Sequence, residues 1–302
     1  MEVKKMSEVI KNRSEIVFLY DIKDANPNGD PLDENKPRID EETGINIVTD
    51  VRLKRTIRDY LMNFKNEEIF IKELRKKDGK LKTKEDRLDD LEIKTPEDML
   101  NACVDIRLFG ATAAIKKKTI TFTGPVQFRF GRSLHKVVLT FVKGTTVMPS
   151  KEAKGQGTFT ETHILPYSLI CFYGIINENA AKHTNLTDDD VKLLLEGMWN
   201  GTKNLISRSK AGQIPRLLLK VNYKEENYHI GDLDKLIELK SEKNDEEIRD
   251  ISDIALDASE LIKTLNDHKD KIKSIDLKVD DRVNIDFSDL NKDITINEIK
   301  LD

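Results

Sequence analysis

The residues best equipped for chemistry in this chain are cations and hydrogen-bond donors gathered in short runs. The densest is Thr49–Arg58, where Arg52, Lys54, Arg55 and Arg58 fall within seven residues, behind Thr49 or Asp50 as a helix cap. On a helix such side chains can neutralise consecutive phosphates, and the helix N-terminus adds partial positive charge. The same run also suits a solvated face paired with acids, of which the helix itself offers only Asp50 and Asp59. A second run, Asn204–Arg216, sets Ser207, Arg208, Ser209 and Lys210 ahead of Gly212. It can bond phosphate oxygens without reading bases, or it can be a plain connector. Between Gly124 and His135, a stretch that includes Gln127, Arg132 and Ser133, polar and apolar residues alternate, so one face can meet RNA while the other packs, or the stretch can be an ordinary amphipathic strand. The last run, Asp21–Asp33, carries Asn26 and Asn28 among Asp21, Asp24, Asp30 and Asp33. Its amides can contact phosphate or ribose, its aspartates can hold a divalent metal for hydrolysis, or the loop can simply satisfy its own backbone. It lacks the closing bidentate Glu of a calcium loop.

Enzyme signatures are missing. The five His residues form no HExxH cluster, and there is no P-loop or GxSxG elbow. Cys103 and Cys171 stand far apart with no His at ligand spacing, which predicts buried thiols in a reducing compartment. No catalytic residue, metal or cofactor is therefore expected. With no signal-peptide pattern and no apolar run long enough to span a bilayer, a cytoplasmic location is expected. The net charge of −4 hides an asymmetry: residues 100–223 carry 17 Lys/Arg against 8 Asp/Glu, whereas residues 224–302 carry 13 against 23. A basic middle beside an acidic C-terminal third fits a protein with one phosphate-binding face, and also head-to-tail stacking of copies.

The elements that must position these runs can be read from periodicity. Ser14–Tyr20 is a β-prone run closed by the turn-rich DIKDANPNGDP, and Thr49–Leu61 follows helical spacing through Leu53, Ile57 and Leu61. Residues 63–103 read as an inserted, charged helical subdomain. Thr119–Phe130 is strand-like, with a break forced at Gly124-Pro125. Val137–Val142 reads as a strand and 143–163 as a polar hairpin tip. Leu165–Ile176 reads as a strand, Thr187–Ser207 as a second packing helix and Leu217–Tyr223 as a strand. In residues 224–302, helices are expected at Leu233–Lys240 and Ile251–Lys273, and strands near Ile275–Val279 and Val283–Phe287. The order strand, helix, strands, helix, strand is the ferredoxin-like βαββαβ pattern used by RNA-recognition domains. The expected fold is thus α+β, a modified RRM-like core over 1–302 with an insertion, a protruding hairpin and an acidic extension. The aromatic-rich RNP1 signature is absent, so base stacking on the sheet is not expected.

Six segments in series resemble the CRISPR-associated backbone subunit of type I Cascade complexes, the Cas-seven family, and most closely its type I-B, Csh-type branch. They are YDIKDANPNGD (20–30), TDVRLKRTIRDY (49–60), DIRLFGA (105–111), GPVQFRFGRS (124–133), GTFTETHILPY (157–167) and SRSKAGQIP (207–215). The resemblance implies a hand-shaped subunit whose 143–163 hairpin is a thumb. It implies partners: a CRISPR RNA, copies of the chain in a helical filament, other Cascade subunits, and target DNA reached through guide pairing, with no membrane. Base pairing then reads sequence while protein reads backbone. By position, Asn26, Asn28, Thr49, Arg52, Lys54, Arg55 and Arg58 become expected RNA contacts, followed by Arg107, Gln127, Arg132, Ser133, Arg208, Ser209 and Lys210. Met148, with Lys151 and Lys154, falls on the expected thumb, where Met148 could wedge beside a flipped base. The rival is a metal-dependent RNase, since type III relatives cut target RNA with an Asp in the loop where Asp24, Asp30 and Asp33 stand here. A third possibility is an adaptor that binds no nucleic acid.

Overall fold

The computed structural model describes residues 8–115, 118–145 and 159–301. At its centre lies the strand Ser14–Ala25, in which every residue from Ser14 to Ile22 is buried. Alternation sends Ile16, Phe18, Tyr20 and Ile22 to one face of the sheet, and Val17 and Leu19 to the other. This strand pairs antiparallel with Phe159–Ile176 on one side and Ile214–Tyr223 on the other. Beyond Phe159–Ile176 come Gly131–Lys136 and then Ile45–Val48; beyond Ile214–Tyr223 come Ile272–Val279 and the parallel edge strand Ile296–Glu298. Ser14–Ala25, Gly131–Lys136, Phe159–Ile176 and Ile214–Tyr223, numbered in chain order, thus lie side by side as last, first, third and second, and Gly131–Lys136 fills the place for which Thr119–Phe130 and Val137–Val142 were expected.

Two long helices, Asp50–Lys65 and Asp188–Lys203, follow the first and third of those strands and cover one face. They approach closely because Gly197 lacks a side chain: a Cβ there would stand 2.9 Å from Cγ2 of Ile57. The acidic C-terminal third covers the other face. Leu233, Ile248, Leu261 and Leu265 pack there with Val17, Leu19, Tyr167, Tyr173 and Tyr223. The buried Glu15 carboxylate fastens that layer, accepting hydrogen bonds from the Tyr173 and Tyr223 hydroxyls and from the N–H groups of Ile230 (2.9 Å) and Gly231 (2.8 Å). The aromatic rings on this face are thus enclosed.

Several expectations need correction. Leu233–Lys240 is a 3₁₀ turn, Leu233–Leu236, followed by the strand Glu238–Lys240. Only Ser259–Asp267 of Ile251–Lys273 is α-helical; ahead of it lie a 3₁₀ turn, Ile251–Asp253, and the strand Ala255–Asp257. The cause is local capping plus strand pairing: Asp253 accepts from the N–H groups of Arg249 and Asp250, and Ala255–Asp257 pairs with Glu238–Lys240. Val283–Phe287 is no strand and makes a single bridge, Leu256 to Ile285. Residues 137–139 are not a strand either; one ends at Lys136 and the next is Thr140–Thr145. Strands Lys118–Thr123 and Val126–Phe128 flank the expected break at Gly124-Pro125.

Residues 69–123 hold their own small core of Phe70, Leu88, Met99, Ile106 and Ala113, which continues past residue 103 into the hairpin Gly110–Ile115/Lys118–Thr123. Thr140–Thr145 pairs with the start of Phe159–Ile176 as a hairpin stem. Met148, Lys151 and Lys154 lie outside the described residues. Among the described residues no helix is long and apolar enough to cross a membrane.

Candidate nucleic-acid interface

Three segments distant in sequence meet at the start of the helix Asp50–Lys65. Past Ala25, the Asn26 N–H donates to the Ser209 carbonyl (2.8 Å), tying the first loop to the second. The Asn26 amide donates to the Asn35 carbonyl (2.6 Å), and Arg38 donates to the carbonyls of Asn28 (3.1 Å) and Gly29 (2.7 Å). So held, Asn28 Oδ1 accepts from both the N–H and the hydroxyl of Thr49, each at 2.9 Å. Thr49 in turn caps the helix by accepting from the Arg52 N–H.

Two cations stand here without carboxylates. Arg52 donates to the Thr56 hydroxyl (3.0 Å), and its Nε is buried with no hydrogen-bond partner. Among the described residues Lys210 reaches only the Ser209 hydroxyl (3.4 Å). Burial first, and the charge of Arg52 second, lower the Lys210 pKa; burial likewise lowers that of Arg52. Each cation is disfavoured where it sits, a cost that an arriving anion would relieve. Exposed Arg208 adjoins them, and none of the three forms an ion pair among the described residues.

Other expected contacts have different work. Arg58 is buried, bonded to the fully buried Asp105 at 2.8 Å and set 5.0 Å from the Phe109 ring centroid. Arg107 makes a two-pronged pair with Asp190 (2.9 and 2.7 Å) and donates to the Leu100 carbonyl. Both join the small core to the main body. The Ser133 hydroxyl is buried, accepting from the Asn46 N–H (2.9 Å) and donating to the His135 carbonyl (2.6 Å). Lys54 is held by Asp50 (3.0 Å) and by the Gln127 side chain (3.1 Å), whose amide donates to the Gly124 carbonyl. Arg55 pairs with Asp59 on the exposed side of the helix, and exposed Arg132 reaches Asp40 at 3.4 Å. The acid that takes up Arg58 lies outside its helix, which is why counting acids within that helix overstated its free charge.

The aspartates of the first loop are not brought together. Asp21 is buried between Arg216 (2.8 Å) and the Tyr167 hydroxyl (3.0 Å), and burial raises its pKa against the opposing pull of Arg216. Asp30 accepts from the Leu32 N–H and faces Arg38, while Asp33 pairs with Lys36. Among the described residues no group of three or more His, Cys, Asp or Glu is placed to hold a metal. Burial pushes the Cys103 thiol up to about 12 and Cys171 well above its ordinary value. Arg38, Asp105 and Arg216 were missed in the sequence; each acts on a partner that no local spacing marks.

The family model for CRISPR-associated protein Cas7 matches residues 12–259. The chain belongs to the Cas7 family. A Cas7 protein of Haloferax volcanii is 36% identical over 310 residues, spanning 92% of this chain and 90% of the relative. Among solved structures, this Cas7-family fold is similar to a chain of a CRISPR RNA-guided surveillance complex in a pre-nicking state. That likeness has a TM-score of 0.58 at 13% identity and covers 95% of this chain and 96% of the other. A chain of another CRISPR RNA-guided surveillance complex has a TM-score of 0.55 at 13% identity, covering 95% and 94%. Both likenesses support the α+β architecture.

Proposed function

We propose that this chain is an RNA-binding backbone subunit of a CRISPR RNA-guided surveillance complex of type I-B, working beside other subunits. Copies align along one guide RNA and hold its sugar-phosphate backbone, leaving the bases free to pair with target DNA. The observation that carries this reading is the juxtaposition of Arg52 and Lys210, two cations without carboxylates, at a capped helix N-terminus edged by Asn28, Thr49 and Ser209. Such a set grips phosphate and ignores base identity. The enclosed sheet face leaves base stacking there without a platform. The proposed role is structural, and the scattered aspartates favour it over hydrolysis.

The test is RNA affinity across a salt series for the wild type and the double variant Arg52→Ala/Lys210→Ala. Each lost phosphate contact should flatten the log–log salt slope by about 0.7, hence about 1.4 for the pair, and weaken unrelated single strands alike. An unchanged slope, or a loss confined to some sequences, would overturn the cradle. Regularly spaced cuts in complementary RNA with Mg²⁺, lost in Asp30→Ala, would favour the nuclease instead.

A further inference from the structure

We propose that a groove beside Phe130 takes an unstacked nucleobase of the strand whose phosphates the cradle holds, an inference that rests on the cradle reading. The segment Phe128–Arg132 joins two strands that both pair with Phe159–Ile176. Phe128 is buried in the core, but Phe130 is 54% exposed. The strand after it presses on the core because residue 131 is glycine: a Cβ there would stand 2.4 Å from the Phe172 ring. A large aromatic is thereby left at the surface, where its burial contributes nothing to the fold.

The groove, about 760 Å³, runs between this segment and the 3₁₀ turn of the C-terminal layer, with Leu134, Cys171 and Ile237 among its apolar lining. Two guanidiniums flank Phe130. Arg129 lies 4.6 Å over the Tyr173 ring and bonds Asp232 at 2.5 Å; Arg132 has only its long contact to Asp40. Asp232 is shared with Lys235 (2.7 Å) and so is neutralised. The remaining groove acid, Asp234, is turned inward: one carboxylate oxygen is buried and lies 3.9 Å from the Arg129 guanidinium, so it adds to the local balance of charge without presenting itself to a ligand. An exposed ring for stacking with cations on either side of it suits single-stranded nucleic acid. The charged flanks argue against an apolar protein segment as occupant.

Strand register places the groove next to the cradle. Gly131 pairs with Val48, and the next residue, Thr49, caps the helix bearing Arg52. A strand gripped at Thr49 and Arg52 would reach the groove by crossing this edge of the sheet, from the helix-covered face to the face under the C-terminal layer.

The experiment uses the full chain with a single-stranded RNA carrying 4-thiouridine, irradiated and mapped by peptide mass spectrometry. Crosslinks are expected in the peptide containing Phe130. Phe130→Ala should reduce them and weaken single-strand binding roughly tenfold, as loss of one stacking partner does. Its salt slope should stay unchanged, because no phosphate contact is lost, and Phe130→Trp should keep both crosslink and affinity. Normal affinity of Phe130→Ala, or crosslinks only elsewhere, in a wild type that binds RNA would overturn the groove and spare the cradle. Loss of self-association with RNA affinity intact would assign the face to another copy of the chain, which also overturns it. Wild-type protein that binds no strand sinks both readings.

Discussion

Arg52 and Arg58 stand on the same helix, yet the fold uses them in opposite ways. Arg58 meets a carboxylate that is fully buried, and a phenylalanine ring closes over the pair. Arg52 bonds a threonine hydroxyl, has another cation nearby, and feels Asp59 without an ion pair to it. A guanidinium satisfied by a buried acid is part of the architecture, because separating the two would leave an uncompensated charge inside the protein. A guanidinium without an acid is held at a cost that only a ligand removes. Where the rest of the chain delivers its carboxylates therefore decides which cations serve the fold and which remain for a partner.

The strongest challenge to this division is to remove Asp105. Its oxygens accept from Arg58 Nε and from the N–H groups of Phe70 (2.8 Å) and Ile71 (3.1 Å). Asp105→Ala would strand a buried guanidinium and two buried donors, at a cost of about 3–5 kcal/mol. Chemical denaturation should show that loss, and hydrogen exchange should place it first in the small core around Phe70 and Met99. RNA affinity of the folded fraction should change little. A variant that kept its stability but lost RNA would put Arg58 on the binding side of the contrast.

What could be read from sequence follows the reach of the interactions. The helix Asp50–Lys65 and its Thr49 cap were legible because capping and i, i+4 packing act within a few residues. Three of the four central strands were legible because each contains a long apolar run, whereas the fourth, Gly131–Lys136, is short and polar and lies between the two runs expected as strands. The C-terminal layer was not: its elements are short, and Glu238–Lys240 is a strand only because Ala255–Asp257 lies beside it. The site divides the same way. Thr49, Arg52 and Lys210 were singled out by residue type and placement, and the fold brings their segments together. The tasks of Arg58 and Arg107 depend on acids 47 and 83 residues away. Ser133 alternates like a surface residue but is buried against an amide 87 residues distant. Type and spacing predict that a residue is polar, and only the tertiary fold says what satisfies it.

A subtler test of the ligand-facing set is pH. Burial and Arg52 lower the Lys210 pKa below that of an ordinary lysine. Between the lowered folded value and the ordinary unfolded one, the unfolded chain holds more protons at this site, so stability without ligand rises with pH through that window. A bound phosphate acts the other way and favours the charged lysine. Binding then takes up a proton, and affinity should fall as pH climbs towards the ordinary lysine range. Lys210→Arg, which stays charged throughout, should flatten that fall. The measurement is the dissociation constant of an adenine-only single strand from about pH 7 to about pH 10. Parallel curves for the two proteins would remove Lys210 from the interface.

The smallest effect is expected at Arg55, which lies on the same helix but belongs to neither set. Its Nε pairs with both oxygens of Asp59 at 2.8 and 2.9 Å, one turn along and largely in solvent. An exposed pair of this kind contributes only about 0.3–0.5 kcal/mol, because water already solvates both partners well. Arg55→Ala should therefore barely move the denaturation midpoint. Two weak influences on Arg52 would change, with opposite consequences for RNA: the repulsion from Arg55 disappears, and Asp59 is released to pull on the neighbouring guanidinium. The first makes Arg52 easier to keep charged, and the second offers it a competing acid. RNA affinity should consequently shift by no more than about two- to threefold, well below the loss from Arg52→Ala. Should Arg55→Ala instead match Arg52→Ala in affinity and salt slope, an exposed cation with its own acid would be as important as a half-buried one without a carboxylate, and the distinction between these two neighbours on the helix would fail.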